Sequence, residues 1–199
     1  MIFIKQKFLS QPEIDGLNAF ADDGVERKFL GPGLDRGSFN YSKRYTSRFY
    51  GDTFDYSPIV YVIYSKITDL LSLHHLNRSA RGGGKNGVVV SCTFDGGDVY
   101  EHMDPKEDHG FDVLRCNIMT RKPVEGGVLF VGGKQIELEE GDLHCYLASD
   151  VKHYVTTVSG PRSRVLWMFG YQIRKRDWVE KLSQFQTDTP EIAQPTPLG

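Results

Sequence analysis

With 199 residues, the chain has room for one domain with a sizeable core. Its 24 basic and 26 acidic residues leave a net charge of -2, which gives no general field for drawing nucleic acid or an anionic membrane surface. No run approaches the roughly 18 apolar residues of a membrane span. Met1 to Ser10 alternates apolar and charged residues without the apolar centre of a signal peptide. A cytoplasmic protein without membrane contact is therefore expected.

A single domain over 1–199 is expected in three parts: a helical N-terminal part over about 1–86, a β core over about 87–172, and a C-terminal helix and tail over 173–199. Ser10-Gln11-Pro12-Glu13 opens a helix through Ile14, Leu17 and Phe20, with proline early and an acid in the first turn. Tyr41 to Tyr50 is a basic-aromatic run whose alternation permits a strand. From Ser57-Pro58, apolar residues recur at three and four from Ile59 to Leu71, which predicts an amphipathic helix of about five turns along the back of a sheet. Ser79 to Gly87, with Gly82-Gly83-Gly84, reads as a loop. No Gly-Lys-Ser/Thr follows it, so it lacks a phosphate-loop pattern.

Beyond that loop the pattern changes to short β runs: Val88 to Phe94, Val99 to Met103, Asp112 to Met119, Val128 to Val131, Gln135 to Leu138, Leu143 to Leu147, His153 to Val158 and Ser163 to Tyr171. Eight such runs predict a mainly β protein with flanking helices, built on a double-stranded β-helix (jelly roll, cupin-like) core. Cys92, Cys116 and Cys145 each sit in one of these apolar runs; odd in number and widely spaced, they read as buried free thiols. Lys175 to Phe185 predicts a last helix, followed by a polar, proline-bearing tail.

The chemistry centres on His102-Met103-Asp104. Side chains alternate along an extended strand, so His102 and Asp104 point the same way and can share one cation. A distant histidine completes three ligands, and two histidines with one carboxylate leave positions open, which suits a non-haem Fe(II) oxygenase. The order of features around them is more specific than the tripeptide. Glu125-Gly126-Gly127-Val128-Leu129-Phe130 comes next, then Glu140-Gly141-Asp142-Leu143, then His153, then Gly160-Pro161-Arg162.

From about Val88 to Gly170 this succession resembles the Fe(II)/2-oxoglutarate-dependent oxygenases, and among them the prolyl 4-hydroxylase-like group with bacterial and phage members. The resemblance implies His102, Asp104 and His153 as iron ligands, 2-oxoglutarate as cosubstrate, dioxygen as partner and ascorbate as an optional accessory. It implies Arg162 as the anchor of the distal carboxylate, because guanidinium is a planar two-pronged donor matched to carboxylate. Arg164 lies two residues on, on the same strand face, and is ranked second. The expected reaction is hydroxylation of a C–H bond in a peptidyl or free amino acid, releasing succinate and CO2. Asp104 fills the position that a halide would need, so halogenation is disfavoured.

Other residues divide between roles. Arg115 and Asn117 share a face with Met119; either a bound oxoacid or substrate satisfies them, or they bond loop backbone at the barrel edge. The family often places a tyrosine hydroxyl on that strand, and none is present here. Tyr100 is a candidate pocket wall. His109 reads as a lid or surface residue, His144 as a strand residue, His74-His75 as a solvated helix end and Trp167 as core. A nucleic-acid substrate ranks below a peptide or small molecule, since only Tyr41 to Tyr50 offers basic residues interleaved with aromatics. The expected assembly is a monomer or homodimer. The rival reading is a non-catalytic cupin-type domain that binds a metal or small ligand, or acts as a sensor; it needs no arginine for a dicarboxylate.

Overall fold

The computed structural model describes residues 1–26, 31–32, 43–49, 58–74, 87–106 and 110–187. In chain order these form β1 (Ile2–Lys5), α1 (Gln11–Glu26), β2 (Gly31–Pro32), β3 (Arg44–Phe49), α2 (Pro58–Leu70), β4 (Val88–Thr93), β5 (Val99–His102) and β6 (Asp112–Arg121). There follow β7 (Glu125–Gly126), β8 (Leu129–Val131), β9 (Lys134–Ile136), β10 (Leu143–Leu147), β11 (His153–Val155), β12 (Val158–Ser159), β13 (Arg164–Ile173) and α3 (Lys175–Thr187). A seven-stranded sheet in the order β1-β10-β6-β13-β4-β3-β2 faces a four-stranded sheet in the order β5-β11-β8-β9, and β12 pairs with β7. The pairings are antiparallel, and these two sheets are the layers of a double-stranded β-helix, as expected from the spacing of the β runs.

Period-two alternation assigns the two faces of the large sheet. Leu114, Cys116 and Ile118 of β6, with Trp167, Phe169 and Tyr171 of β13, face outward and pack with Leu17, Ile63, Ile67 and Trp178 of the helices. Each such apolar side chain contributes about 1.5–3 kcal/mol through its burial. The intervening residues of the same strands, Arg115, Asn117 and Met119 on β6 and Arg164, Leu166 and Met168 on β13, face the small sheet and line a cavity or its apolar surround. All three cysteines are free and buried.

The helices are fixed by local chemistry. The Ser10 amide and hydroxyl both donate to Glu13 Oε2 at 2.8 Å, a capping arrangement at the start of α1. Lys66 of α2 reaches Glu13 at 2.7 Å and ties the two helices together.

Two expectations need correction. The N-terminal part is not only helical, because β1, β2 and β3 extend the large sheet at both ends. Ile2 to Lys5 pairs with β10, and Arg44 to Phe49 pairs with β4, so backbone groups left open at the core's edges recruit these segments. α2 is also shorter than five turns: it ends at Leu70, and Ser72 takes a left-handed φ of 49°. The apolar periodicity continues through Leu71 and Leu73 because both remain buried beyond the helix end. The glycine loop over 79–86, His109 and the tail lie outside the described residues, as do the side chains of 47–49.

Candidate metal centre

β5 and β11 bring the candidate ligands His102 and His153 together across one strand pair. His153 pairs with His102 and Val155 with Val99, so three residue steps on β5 oppose two on β11. This bulge lets Val99 and His102 both face the cavity, although strict alternation would set them on opposite faces. β5 ends at His102, and the chain is then held by the Asp104 amide, which donates to Ala148 O at 2.8 Å. Met103 points out between the two and is exposed, as the tripeptide pattern predicted.

The three side chains converge as expected. One ligand atom from each of His102, Asp104 and His153 lies within 4.8 Å of the others, and His102 Nε2 is 3.9 Å from Asp104 Oδ1. Their chemistry fits a cation. His102 Nδ1 is 2.8 Å from Tyr100 O, and His153 Nδ1 is 3.2 Å from Val151 O. A carbonyl only accepts, so each Nδ1 donates, and each Nε2 keeps its lone pair for a metal. Burial first, and then the neighbouring His102, push the His153 pKa down to about 4, so the ring stays neutral and able to ligate at neutral pH. Arg115 Nε donates to Asp104 Oδ2 at 3.0 Å, which orients the carboxylate and leaves Oδ1 toward the histidines.

The triad opens onto a cavity of about 110 Å³ between the sheets, whose lining includes Arg115, Asn117 and Arg164. Arg164 is 2% exposed, and no carboxylate among the described residues pairs with it. Burial, followed by the like charge of Arg44, pushes its pKa down to about 10. Arg164 Nε, Arg115 Nη1 and Asn117 Oδ1 are buried without hydrogen-bond partners. Such atoms carry a desolvation cost that a polar ligand would remove.

Two sequence candidates lie elsewhere. Arg162 is on the turn before β13, half exposed; its Nη1 donates to Lys122 O at 2.9 Å and meets Glu140 at 2.8 Å. Gly160, at φ +94°, and Pro161 hold that turn off the sheet, so the strand starts only at Arg164, and of the two arginines that one faces the cavity. Tyr100 is displaced by the β5 bulge. Its side chain is 44% exposed and off the cavity wall, although its carbonyl orients His102.

Three residues at or behind the cavity wall were not singled out for it from sequence: Tyr146 and Arg44 line it, and His144 is fully buried against Asn117. Tyr146 and His144 are alternate residues of β10, opposite Arg115 and Asn117, and Asn117 Nδ2 lies 3.3 Å from His144 Nε2. Burial lowers the His144 pKa to about 3 and holds the Tyr146 hydroxyl protonated. Two polar residues in an otherwise apolar strand was the signal that found Arg115 and Asn117, and it applies equally to β10. Arg44, the third, comes from the basic-aromatic run. His74 is exposed beside Asp69 as expected, but it lies four residues past the end of α2, and His75 is outside the described residues; Trp167 is core, as expected. No described helix is long and apolar enough to cross a membrane.

No family model and no curated protein matches the chain. Solved structures do. A prolyl-4-hydroxylase from Pseudomonas putida aligns over 87% of this chain and 92% of its own, with TM-score 0.64 and 15% identity. A Trichoplax adhaerens prolyl hydroxylase, solved with a hypoxia inducible factor peptide fragment, aligns over 90% and 86%, with TM-score 0.62 and 15% identity. HygX from Streptomyces hygroscopicus, solved with nickel and 2-oxoglutarate, aligns over 86% and 82%, with TM-score 0.59 and 11% identity. At these identities the likeness is one of fold: the chain shares a double-stranded β-helix core with these solved structures.

Proposed function

We propose that this protein is an Fe(II)- and 2-oxoglutarate-dependent dioxygenase that hydroxylates a C–H bond of a peptidyl or free amino acid. The observation that carries the reading is that one cavity holds both the His102-Asp104-His153 triad and a buried arginine, Arg164, which no carboxylate among the described residues pairs with. A metal site alone would suit the cupin-type rival; a desolvated guanidinium that no described carboxylate meets in the same cavity favours an anionic ligand.

Iron with 2-oxoglutarate would supply the oxidising chemistry, coupling C–H hydroxylation to release of succinate and CO2. The residues of the chain supply position and charge. His102 and His153 would present Nε2 and Asp104 would present Oδ1, each held by the hydrogen bond on its other polar atom. Arg164 would take the distal carboxylate, a role ranked second from sequence and favoured here by its place on the cavity wall. Arg115 and Asn117 would meet polar atoms of the oxoacid or substrate. Leu129, Val155, Leu166 and Met168 give the cavity apolar walls.

An amino-acid or peptide substrate is supported by two of the similar folds belonging to prolyl hydroxylases, one of them holding a peptide. Exposed Tyr100 and Met103 flank His102 and offer apolar surface beside the metal ligands.

The test has two arms: titration of 2-oxoglutarate into the anaerobic Fe(II)-loaded protein, and a screen of peptides and amino acids for succinate release. Metal-dependent binding followed by substrate-stimulated succinate is the expected result. A protein that binds iron but not 2-oxoglutarate would be the cupin-type domain instead.

A further inference from the structure

We infer that Arg44 of β3 acts with Arg164 to hold the distal carboxylate of 2-oxoglutarate, in place of the phenol that β6 lacks. This rests on the oxygenase reading above.

Strand register puts the two arginines side by side. Thr93 of β4 pairs with Arg164 on one side and with Arg44 on the other, so the three residues form a row across β13, β4 and β3. Direct partners in antiparallel strands share a face, and two strand spacings separate the arginine Cα atoms by about 10 Å, within which two long side chains converge. Both arginines line the cavity that holds the metal ligands. Arg44 Nε donates to Ser91 Oγ at 2.9 Å, which fixes the side chain along the wall.

The row lies away from the residues that would hold the metal. Gly170 pairs with Arg115, which bonds Asp104, whereas Arg164 is at the opposite end of β13. Between the arginines, the Thr93 hydroxyl is 1% exposed without a partner, and the buried Arg164 Nε also lacks one. Burial and the charge of Arg44 together disfavour the charged form of Arg164. A carboxylate between the two cations would relieve their repulsion and accept from the unsatisfied donors.

Titration of 2-oxoglutarate and of 2-oxovalerate, which keeps the chain length and lacks the distal carboxylate, into the anaerobic Fe(II)-loaded full chain tests this. Visible charge-transfer absorption would report binding of either acid. In Arg44→Ala the Kd for 2-oxoglutarate should rise about tenfold to a hundredfold, the weight of a hydrogen bond to a charged group, with the 2-oxovalerate Kd unchanged. Arg44→Lys keeps the charge without the planar fork and should fall between, which separates lost binding from lost folding. An unchanged 2-oxoglutarate Kd in Arg44→Ala would overturn the inference, as would equal weakening of both acids. If the iron-loaded wild type binds neither acid, the oxygenase reading itself fails.

Discussion

Arg164→Met should do two opposite things to this protein, and both follow from where the guanidinium sits. Arg164 is fully buried, and burial with the charge of Arg44 pushes its pKa down to about 10. Against an ordinary value of 12.5, that depression amounts to about 3 kcal/mol of penalty on the folded, ligand-free state. Methionine fills a similar length without charge, so the ligand-free variant should gain up to about that amount and melt about 5–10 °C higher. Binding should move the other way. Removing one member of a buried charge pair costs about 2–5 kcal/mol, so 2-oxoglutarate affinity should fall by at least about thirtyfold. Arg162→Ala is the control: its pair with Glu140 is half exposed and worth about 0–1 kcal/mol, with no effect on the oxoacid. Thermal melting of ligand-free protein and calorimetric titration of the iron-loaded protein read the two effects separately. The reasoning is refuted if Arg164→Met binds 2-oxoglutarate like the wild type, if Arg162→Ala loses it, or if the ligand-free methionine variant melts lower.

Asp104→Ala should abolish iron binding and succinate release, and should also destabilise the metal-free protein by about 3–5 kcal/mol by stranding Arg115; Asp104→Asn, which still offers Arg115 an acceptor, should melt closer to wild type in a thermal scan. His144 has a folded pKa of about 3 against 6.5. Between these values the unfolded chain binds more protons, so stability is fully present above pH 6.5 and is lost as pH falls toward 3. Urea titrations across that range should show a loss of about 3–5 kcal/mol, much reduced in His144→Gln. Gly126→Ala should prevent folding or cost more than about 3 kcal/mol, measured by circular dichroism. Its φ is +68° and a Cβ would run into the Thr157 carbonyl.

The strands of the core were legible because each carries a buried face on a period of two. β6 shows this clearly: Leu114, Cys116 and Ile118 read as one face, Arg115, Asn117 and Met119 as the other, and the structure separates them in that way. β1 and β3 were less legible. Their short alternations gain meaning only from pairing with β10 and β4, which are more than 35 residues away in sequence. The run Tyr41 to Tyr50 offered either a substrate wall or an edge strand, and sequence did not single out Arg44 within it, because its position is set by Thr93 on the neighbouring strand and not by its own segment.

The misplacements around the site share one physical origin, which is that facing depends on where a strand starts or bulges, and residue types do not reveal that. Alternation counted from Asp104 would put Tyr100 on the inner face with His102. The β5 bulge absorbs one residue and turns Tyr100 outward while Val99 turns in. Counting back from Arg164 along an unbroken strand would put Arg162 inward too, but the left-handed Gly160 and the following Pro161 form a turn, so regular pairing starts only at Arg164. The tripeptide escaped both effects because it lies at the strand end, where the Asp104 amide is pinned to Ala148 O. The facing of His102 and Asp104, two of the candidate metal ligands, was therefore readable from local sequence, whereas the residues that would hold the oxoacid depend on strand register across β13, β4 and β3. A single-residue insertion between Gly160 and Arg164 should thus spare iron binding and abolish 2-oxoglutarate binding, whereas one between Tyr100 and His102 should abolish both.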